Sequence, residues 1–152
     1  MCKVSIITPS YNNKAFIHKL IASVITQTMP DWEMFFVDDC STDCSVEIIR
    51  DFSKKDSRIK LIELKKNSGA AVARNKAIEA AQGRYIAFLD SDDIWLPNKL
   101  EKQIEFMQKN SVVFSYSAYQ QIDELGNLIK DIHVPEKVSY QDILKSNSIG
   151  CL

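Results

Sequence analysis

Three carboxylates lie within four residues, at Asp90, Asp92 and Asp93, directly after the apolar run 85–89. Charges of one sign this close together repel one another unless a cation or solvent offsets the repulsion. Carboxylate oxygens are hard ligands that suit Mg²⁺ or Mn²⁺, and such ions keep part of their water and bridge to phosphates. The cluster therefore predicts a divalent-metal site. The alternative is that Asp92 or Asp93 caps a following turn while the other carboxylates are solvated.

A second acidic pair, Asp38 and Asp39, also ends a hydrophobic run. A carboxylate in that position can accept a hydrogen bond from the ring N–H of uracil or thymine. Asp is also a preferred N-cap residue, so the competing interpretation is that Asp39 caps the helical run that begins near Ser45. Asp43 is the better candidate for that capping role.

A basic residue, Arg74, lies in a segment of small residues, 69–75. Small side chains let a helix approach a sheet closely, and they place Arg74 one turn in from the helix start. At that position the guanidinium and the helix dipole could both meet a phosphate. An ion pair with a nearby carboxylate is the alternative role for Arg74. A dinucleotide fingerprint is excluded, because the chain contains no G-x-G-x-x-G motif.

The elements that would position these residues alternate between strands and helices. Apolar, β-branched runs predict strands at residues 3–8, 32–37, 59–64, 85–89 and 112–116. Apolar residues at helical spacing predict helices at 16–24, from 45, at 69–81 and at 97–108. This alternation is typical of an open, mostly parallel α/β sheet flanked by helices, a Rossmann-like arrangement. Ligands of such sheets bind outside the carboxyl ends of the strands, where the acidic residues fall.

The alternation of predicted strands and helices stops after residue 116. Residues 117–122 and 128–134 flank a turn sequence at 123–127 and predict a β-hairpin near the carboxyl end, with a short helix near 140–145. We therefore predict an α/β core over residues 1–116 and a further region over 117–152. Because the chain ends on apolar residues without a polar tail, we expect it to continue beyond Leu152.

The composition excludes some classes of partner. Lys plus Arg (19) nearly balance Asp plus Glu (20), so no net charge attracts nucleic acid. No apolar run approaches the ~20 residues that span a bilayer, and the amino terminus lacks the pattern of a secretory signal. We expect a cytoplasmic protein with reduced, structural cysteines. Peripheral association with the inner face of the membrane and homo-oligomerisation are left open.

Four segments together resemble the inverting family 2 glycosyltransferases of the GT-A fold: residues 4–12, 37–43, 69–75 and 88–93. Four linked motifs are far more specific than any one of them. The resemblance implies transfer of a sugar from a nucleoside-diphosphate sugar to an acceptor hydroxyl with inversion. It favours a UDP-sugar as the donor, and polysaccharide or cell-surface glycan synthesis as the process. The alternatives are a non-catalytic nucleotide-sugar-binding module and a receiver-type signalling domain, which also combines an α/β sheet with clustered aspartates.

The resemblance implies a set of residues at the nucleotide: Pro9, Tyr11, Asp39, Arg74, Asp90 and Ser91. Within this set, Pro9 and Tyr11 would line the base and ribose pocket, and Asp39 would accept a hydrogen bond from the base. Asp92 would be the direct ligand of a Mn²⁺ or Mg²⁺ ion on the diphosphate. Asp90 would contact the ribose or metal-bound water, which makes it the second candidate for the metal site.

The resemblance also implies a catalytic base, usually in a Glu-Asp pair, on the acceptor side and well beyond the second acidic motif. After Asp93 the chain offers Asp123 and Glu124 as a candidate pair, but they fall in the predicted hairpin turn. We therefore expect the base to lie beyond Leu152. The implied acceptor is a saccharide or a lipid-linked saccharide. Cys40 departs from the family pattern, in which glycine is commoner at this position.

Overall fold

The computed structural model describes residues 3–145. The chain falls into two compact units, and the division lies between Lys102 and Gln103. This division falls inside a helix, whereas the sequence predicts a boundary between residues 116 and 117. The assignment of a donor region and an acceptor region remains a prediction.

The first unit is built on a four-stranded sheet. Its elements are β1 (Val4–Ser10), α1 (Ile17–Ile25), β2 (Trp32–Asp38), α2 (Ser45–Lys55), β3 (Ile59–Glu63), α3 (Ala70–Ala80) and β4 (Tyr85–Phe88). All neighbouring strands pair in parallel, in the order β3-β2-β1-β4. This architecture confirms the predicted α/β sheet. Parallel pairing also brings the carboxyl ends of the four strands to one edge of the sheet.

The two central strands form the core of this unit, and every residue of β1 and β2 is buried. Central parallel strands have both faces covered, which is why they appear in the sequence as continuous apolar runs. On one face, Ala73 and Ala77 of α3 pack against Ile7, Phe35 and Val37. The small side chains of α3 therefore allow the close helix–sheet approach that the sequence predicts.

A buried carboxylate ties the amino ends of the strands together. Glu33 is 5% exposed, and its side chain accepts hydrogen bonds from Ser5 Oγ (2.6 Å), the Gln82 N–H (2.8 Å) and Lys60 Nζ (2.6 Å). Burial raises the pKa of Glu33, but the bonds from Lys60, Ser5 and Gln82 together outweigh it and leave the pKa below its ordinary value. We call these four residues the Glu33 network. It lies at the end of the sheet opposite to the acidic motifs.

Gly83 lies against this network with no room for a side chain. A Cβ at this position would be 2.5 Å from the Ser5 nitrogen and 2.7 Å from the Val4 carbonyl carbon. Because both atoms belong to the backbone of a buried central strand, they cannot move aside without disturbing the sheet. We expect Gly83→Ala to lower the free energy of unfolding by about 3 kcal/mol, as measured by urea denaturation.

Gly69→Ala is the matched control for this substitution. Its Cβ would have no heavy atom within 4 Å, but its backbone (φ +86°, ψ 157°) lies in a region that is essentially restricted to glycine. The conformational cost there is about 1–3 kcal/mol and arises without any close contact. A loss of less than about 1 kcal/mol in Gly83→Ala would mean that close approach is not the reason for a glycine at residue 83.

The second unit begins in α4 (Lys99–Asn110) at Gln103 and contains a hairpin and a short helix. The hairpin pairs β5 (Tyr119–Ile122) with β6 (Leu128–Ile132) in antiparallel register, and α5 spans Tyr140–Lys145. The hairpin and the short helix confirm the sequence prediction. No helix in residues 3–145 is both long and apolar enough to cross a bilayer.

The predicted strand at residues 112–116 is wrong. These residues form no strand in the described part of the chain, and Val113 is 97% exposed. Ser111 takes a left-handed conformation (φ +52°) at the end of α4, and the Val112 N–H donates to the Met107 carbonyl oxygen at 3.1 Å. An apolar, β-branched run becomes a strand only when a neighbouring strand pairs with it, and none does so within residues 3–145.

Candidate functional site

A cleft of about 230 Å³ opens at the carboxyl edge of the sheet. It is lined by residues of β1, of α3 and of the loops after β1, β2 and β4: Pro9, Ser10, Tyr11, Asn13, Asp39, Ala70, Arg74, Asp90, Ser91 and Asp92. The structure therefore brings together all seven residues that the sequence predicts for the nucleotide and the metal. Sequence reasoning missed three of the lining residues, Ser10, Asn13 and Ala70.

Asp39 is held by backbone amides at the start of α3. Its Oδ1 accepts the Ser68 N–H and its Oδ2 accepts the Gly69 N–H, both at 2.7 Å. The interpretation of Asp39 as the cap of α2 is therefore wrong. The N-cap position of α2 is Cys44, and the first helical N–H, that of Ser45, donates to Oδ1 of Asp43 at 2.9 Å. A carboxylate offers about four lone-pair sites, so the two amides fix the orientation of Asp39 and leave acceptor capacity at the cleft.

Two of the residues that line the cleft, Arg74 and Asp90, form an ion pair. The distance from Nη2 of Arg74 to Oδ1 of Asp90 is 2.5 Å, and the two side chains are 26% and 33% exposed. Of the two roles considered for Arg74, the structure shows the ion pair. Because Arg74 offsets the negative charge of Asp90, Asp92 is the candidate metal ligand whose charge is left to attract a cation.

The acidic loop after β4 is a tight turn, in which the Asp93 N–H donates to the Asp90 carbonyl oxygen at 3.1 Å. Ser91 is buried and Asp92 is exposed. Burial raises the pKa of Asp93 to about 7, and repulsion from Asp92 and Asp90 contributes to the rise. Burial is the larger cause of this shift, and the repulsion that the sequence predicts among the three carboxylates is the smaller one.

The acidic loop after β4 fits a metal site in which water and phosphate supply most of the ligands. Within residues 3–145, no group of three or more His, Cys, Asp or Glu side chains is arranged to hold a metal ion. Asp92 instead offers hard oxygen ligands at an exposed position. Mg²⁺ characteristically binds through one or two carboxylates and completes its shell with water and substrate phosphates. The residues therefore fit an ion that arrives with a phosphate, and not an ion enclosed by protein ligands.

The loops after β1 and β2 are cross-linked to each other. Asn12 takes a left-handed conformation (φ +53°), its N–H donates to Ser41 Oγ at 2.9 Å, and its Oδ1 accepts the Thr42 N–H at 2.8 Å. The Asn13 N–H donates to Ser45 Oγ at 3.0 Å. Sequence reasoning missed these contacts, although two asparagines after a strand are a signal for left-handed backbone.

Cys40 also takes a left-handed conformation, with φ +64°. This geometry explains why glycine suits the position, since a left-handed non-glycine residue costs about 1 kcal/mol. The Cys40 thiol donates to the Leu64 carbonyl oxygen at 3.1 Å, which compensates for part of the cost.

In the second unit, Asp123 organises the hairpin turn. Its Oδ1 accepts the N–H groups of Leu125 (2.9 Å) and Asn127 (2.8 Å), and its Oδ2 accepts Nδ2 of Asn127 (2.9 Å). Hydrogen bonding from the Asn127 side chain is the main cause that holds the pKa of Asp123 below its ordinary value. These hydrogen bonds place Asp123 in the hairpin turn, where the sequence predicts it.

Residues 5–150 match the family model described as Glycosyl transferase family 2. The chain belongs to family 2 of the glycosyltransferases. A family 2 match over this length excludes the receiver-type alternative. The chain is 54% identical over 150 residues to the putative teichuronic acid biosynthesis glycosyltransferase TuaG of Bacillus subtilis, with 98% of this chain and 60% of the relative covered.

The chain is also 47% identical over 149 residues to WfgD of Escherichia coli, the UDP-Glc:alpha-D-GlcNAc-diphosphoundecaprenol beta-1,3-glucosyltransferase. This match covers 98% of the chain and 58% of WfgD. The chain thus spans about 60% of the length of each of these two relatives.

Solved structures show the same fold. TarS 1-349 of S. aureus in complex with UDP-GlcNAc gives a TM-score of 0.67 and 34% identity over 72% of this chain and 32% of TarS. The mannosyltransferase PcManGT of Pyrobaculum calidifontis, solved with GDP-Man and Mn²⁺, gives a TM-score of 0.70 at 24% identity over 78% of this chain and 36% of that protein. These likenesses confirm the GT-A fold.

Proposed function

We propose that the protein transfers a sugar from a UDP-sugar to an acceptor hydroxyl, with inversion, in the synthesis of a cell-surface polysaccharide. The observation that carries this proposal is a cleft that gathers Tyr11, Asp39 and Asp92 in a family 2 chain. The names of the relatives and the TarS complex support a uridine nucleotide. A lipid-linked saccharide is the acceptor that fits the diphosphoundecaprenol substrate in the name of WfgD.

In this proposal the uracil base of the nucleotide binds between the loops after β1 and β2. Asp39 accepts the ring N–H of uracil, and its two backbone amide partners hold the carboxylate in one orientation. Tyr11, which is 48% exposed, offers an aromatic face on which the base stacks. Pro9 adds a rigid wall to the same pocket.

The diphosphate binds at the acidic loop after β4. Asp92 would hold a Mn²⁺ or Mg²⁺ ion, and the bound ion would stabilise the negative charge that grows on the leaving diphosphate. Asp90 would contact the ribose or metal-bound water, and its ion pair with Arg74 fixes the carboxylate in place. Arg74 in turn brings positive charge to the phosphate side of the cleft, and the buried Ser91 completes the nucleotide contacts.

The acceptor hydroxyl loses its proton to a base on the acceptor side. Asp39 and Asp90 are committed to backbone amides and to Arg74 respectively, and Asp92 serves the metal. We therefore place the base outside the cleft described above. A non-catalytic nucleotide-sugar-binding module is the second candidate function, and turnover distinguishes it from the enzyme.

Calorimetric titration tests the donor, and transfer of a labelled sugar tests the reaction. We expect UDP to bind in Mn²⁺ buffer at least about 10-fold more tightly than GDP or CDP, since only the matching base satisfies the polar groups of its pocket. We also expect a UDP-sugar to donate to a diphospholipid-linked saccharide. Binding without turnover on any saccharide acceptor would favour the binding module.

Asp39→Asn gives a sharper test of the base pocket. The amide presents a donor where an acceptor is needed, so we expect UDP affinity to fall about 10- to 100-fold and inorganic diphosphate affinity to fall less than about 3-fold. Asp51→Asn, at an exposed acid of α2, is the matched control. Equal losses for the two ligands would place Asp39 away from the base and leave it only the role of anchoring α3.

A further inference from the structure

We propose that Asn12 is a positioning residue for the nucleoside base, because it locks the two loops that form the base pocket into one body. The inference rests on the proposed function and adds a residue that touches neither the metal nor the diphosphate. It concerns the loops after β1 and β2, which carry Tyr11 and Asp39 respectively.

The left-handed backbone of Asn12 directs two of its polar groups to the same partner loop. The main-chain N–H donates to Ser41 Oγ at 2.9 Å, while the side-chain Oδ1 accepts the Thr42 N–H at 2.8 Å. Few residue types combine a tolerance for φ near +53° with an acceptor on a short side chain. Asn12 therefore makes a double contact that an alanine or a glycine could not reproduce.

The partner loop is itself anchored to the sheet. The Ser41 N–H donates to Oδ2 of Asp38 at 2.9 Å, and Ser41 Oγ donates to Oδ1 of the same carboxylate. Asp38 is the last residue of β2, and β2 lies beside β1 in the sheet. The double contact of Asn12 thus closes a ring that runs from β1 through both loops and back to β2.

The ring surrounds the two residues assigned to the base. Tyr11 directly precedes Asn12, and its N–H donates to Oδ1 of Asn13 at 3.3 Å. Asp39 directly follows β2 and precedes Ser41 by two residues. If the ring opens, Asp39 is still held by the Ser68 and Gly69 amides and by the bond from its own N–H to the Ser10 carbonyl oxygen. The loop after β1 that carries Tyr11 loses its tie to Thr42, so the Tyr11 ring is less firmly placed relative to Asp39 before the ligand arrives. Binding must then bear the entropy of ordering the Tyr11 loop.

The cross-links lie at the protein surface, so their groups can turn to water when they are lost. An exposed hydrogen bond exchanged for one to water changes stability little. The diphosphate binds at the separate loop after β4, which the ring does not include. The expected signature is therefore a loss of base recognition with retention of both the fold and diphosphate binding.

The test measures UDP and inorganic diphosphate affinities in one Mg²⁺ buffer for wild-type protein and variants of Asn12. We expect Asn12→Ala and Asn12→Gly to weaken UDP about 10-fold and diphosphate less than about 2-fold, because only the nucleoside contacts depend on the ring. Asn12→Asp keeps a side-chain acceptor and tolerates left-handed backbone, so we expect UDP affinity within about 3-fold of wild type.

Asn12→Gly separates the side-chain contact from backbone strain, because it removes the acceptor and also relieves the φ requirement. Wild-type UDP affinity in Asn12→Gly would overturn the inference, because strain alone would then explain Asn12→Ala. Equal weakening of UDP and diphosphate would overturn it as well. Failure of the wild-type protein to bind UDP would contradict the proposed function itself, which keeps the two failures distinguishable.

Discussion

Asp92→Ala is expected to remove the metal-dependent part of UDP binding and to leave the fold intact. Asp92 is exposed in the loop after β4, so its loss should change the free energy of unfolding by less than about 0.5 kcal/mol. Even residues that only support a metal ligand cost 10–100-fold in metal affinity when they are removed. We therefore expect UDP affinity in Mn²⁺ to fall by at least about 100-fold.

Titrations with and without EDTA check this prediction. Wild-type affinity should drop to the level of Asp92→Ala when EDTA removes the metal, and the variant should not respond to EDTA. Asp51→Ala is the matched control, because it removes an exposed acid that pairs with Lys54 on α2. Unchanged UDP affinity of Asp92→Ala in Mn²⁺ would contradict the metal assignment.

Glu33→Ala is expected to lower the free energy of unfolding by about 3 kcal/mol. The substitution leaves Ser5 Oγ and the Gln82 N–H without their buried acceptor, and each such loss costs about 1–3 kcal/mol. Lys60, whose side chain is 42% exposed, can turn to water and adds less. Urea denaturation at pH 7 measures the loss, and Glu47→Ala at an exposed position of α2 is the control.

The contribution of Glu33 depends on pH in a defined direction. Its folded-state pKa lies below the ordinary value of 4.5, so the folded state favours the ionised form. The stabilisation is complete above that ordinary value and is lost as the pH falls through the lowered folded-state pKa. The stability difference between wild type and Glu33→Gln should be constant from pH 6 to pH 8 and should shrink below about pH 4.5. A difference that grew on acidification would contradict the assigned direction.

The sheet was predictable from sequence because each of its strands is a short apolar run between helices of regular period. β1 and β2 are buried along their whole length, so burial left a continuous signal in the sequence. The run at 112–116 has the same composition, yet it forms no strand. The composition of a segment shows that it is apolar, but it does not predict whether a neighbouring strand is present to pair with it.

The cleft was predictable for a different reason. Carboxyl ends of parallel strands meet at one edge, so residues that follow β1, β2 and β4 had to come together. The partners of each side chain were not predictable in this way. Asp39 bonds to amides 29 and 30 positions away, and Asn12 reaches Thr42 across 30 positions. Such pairings depend on loop geometry, and no spacing rule in the sequence encodes it.

The strand order has a consequence for synthesis on the ribosome. β1 is completed at residue 10, but one of its two neighbours, β4, begins only at residue 85 and pairs Tyr85 with Val4. At a synthesis rate of about 5–20 residues per second, that edge of β1 stays unpaired for roughly 4–16 s before β4 is synthesised. An apolar strand with an open edge is a site for pairing with other chains. We therefore expect nascent chains that stop before β4 to need chaperone protection, and chains that extend past it to need far less.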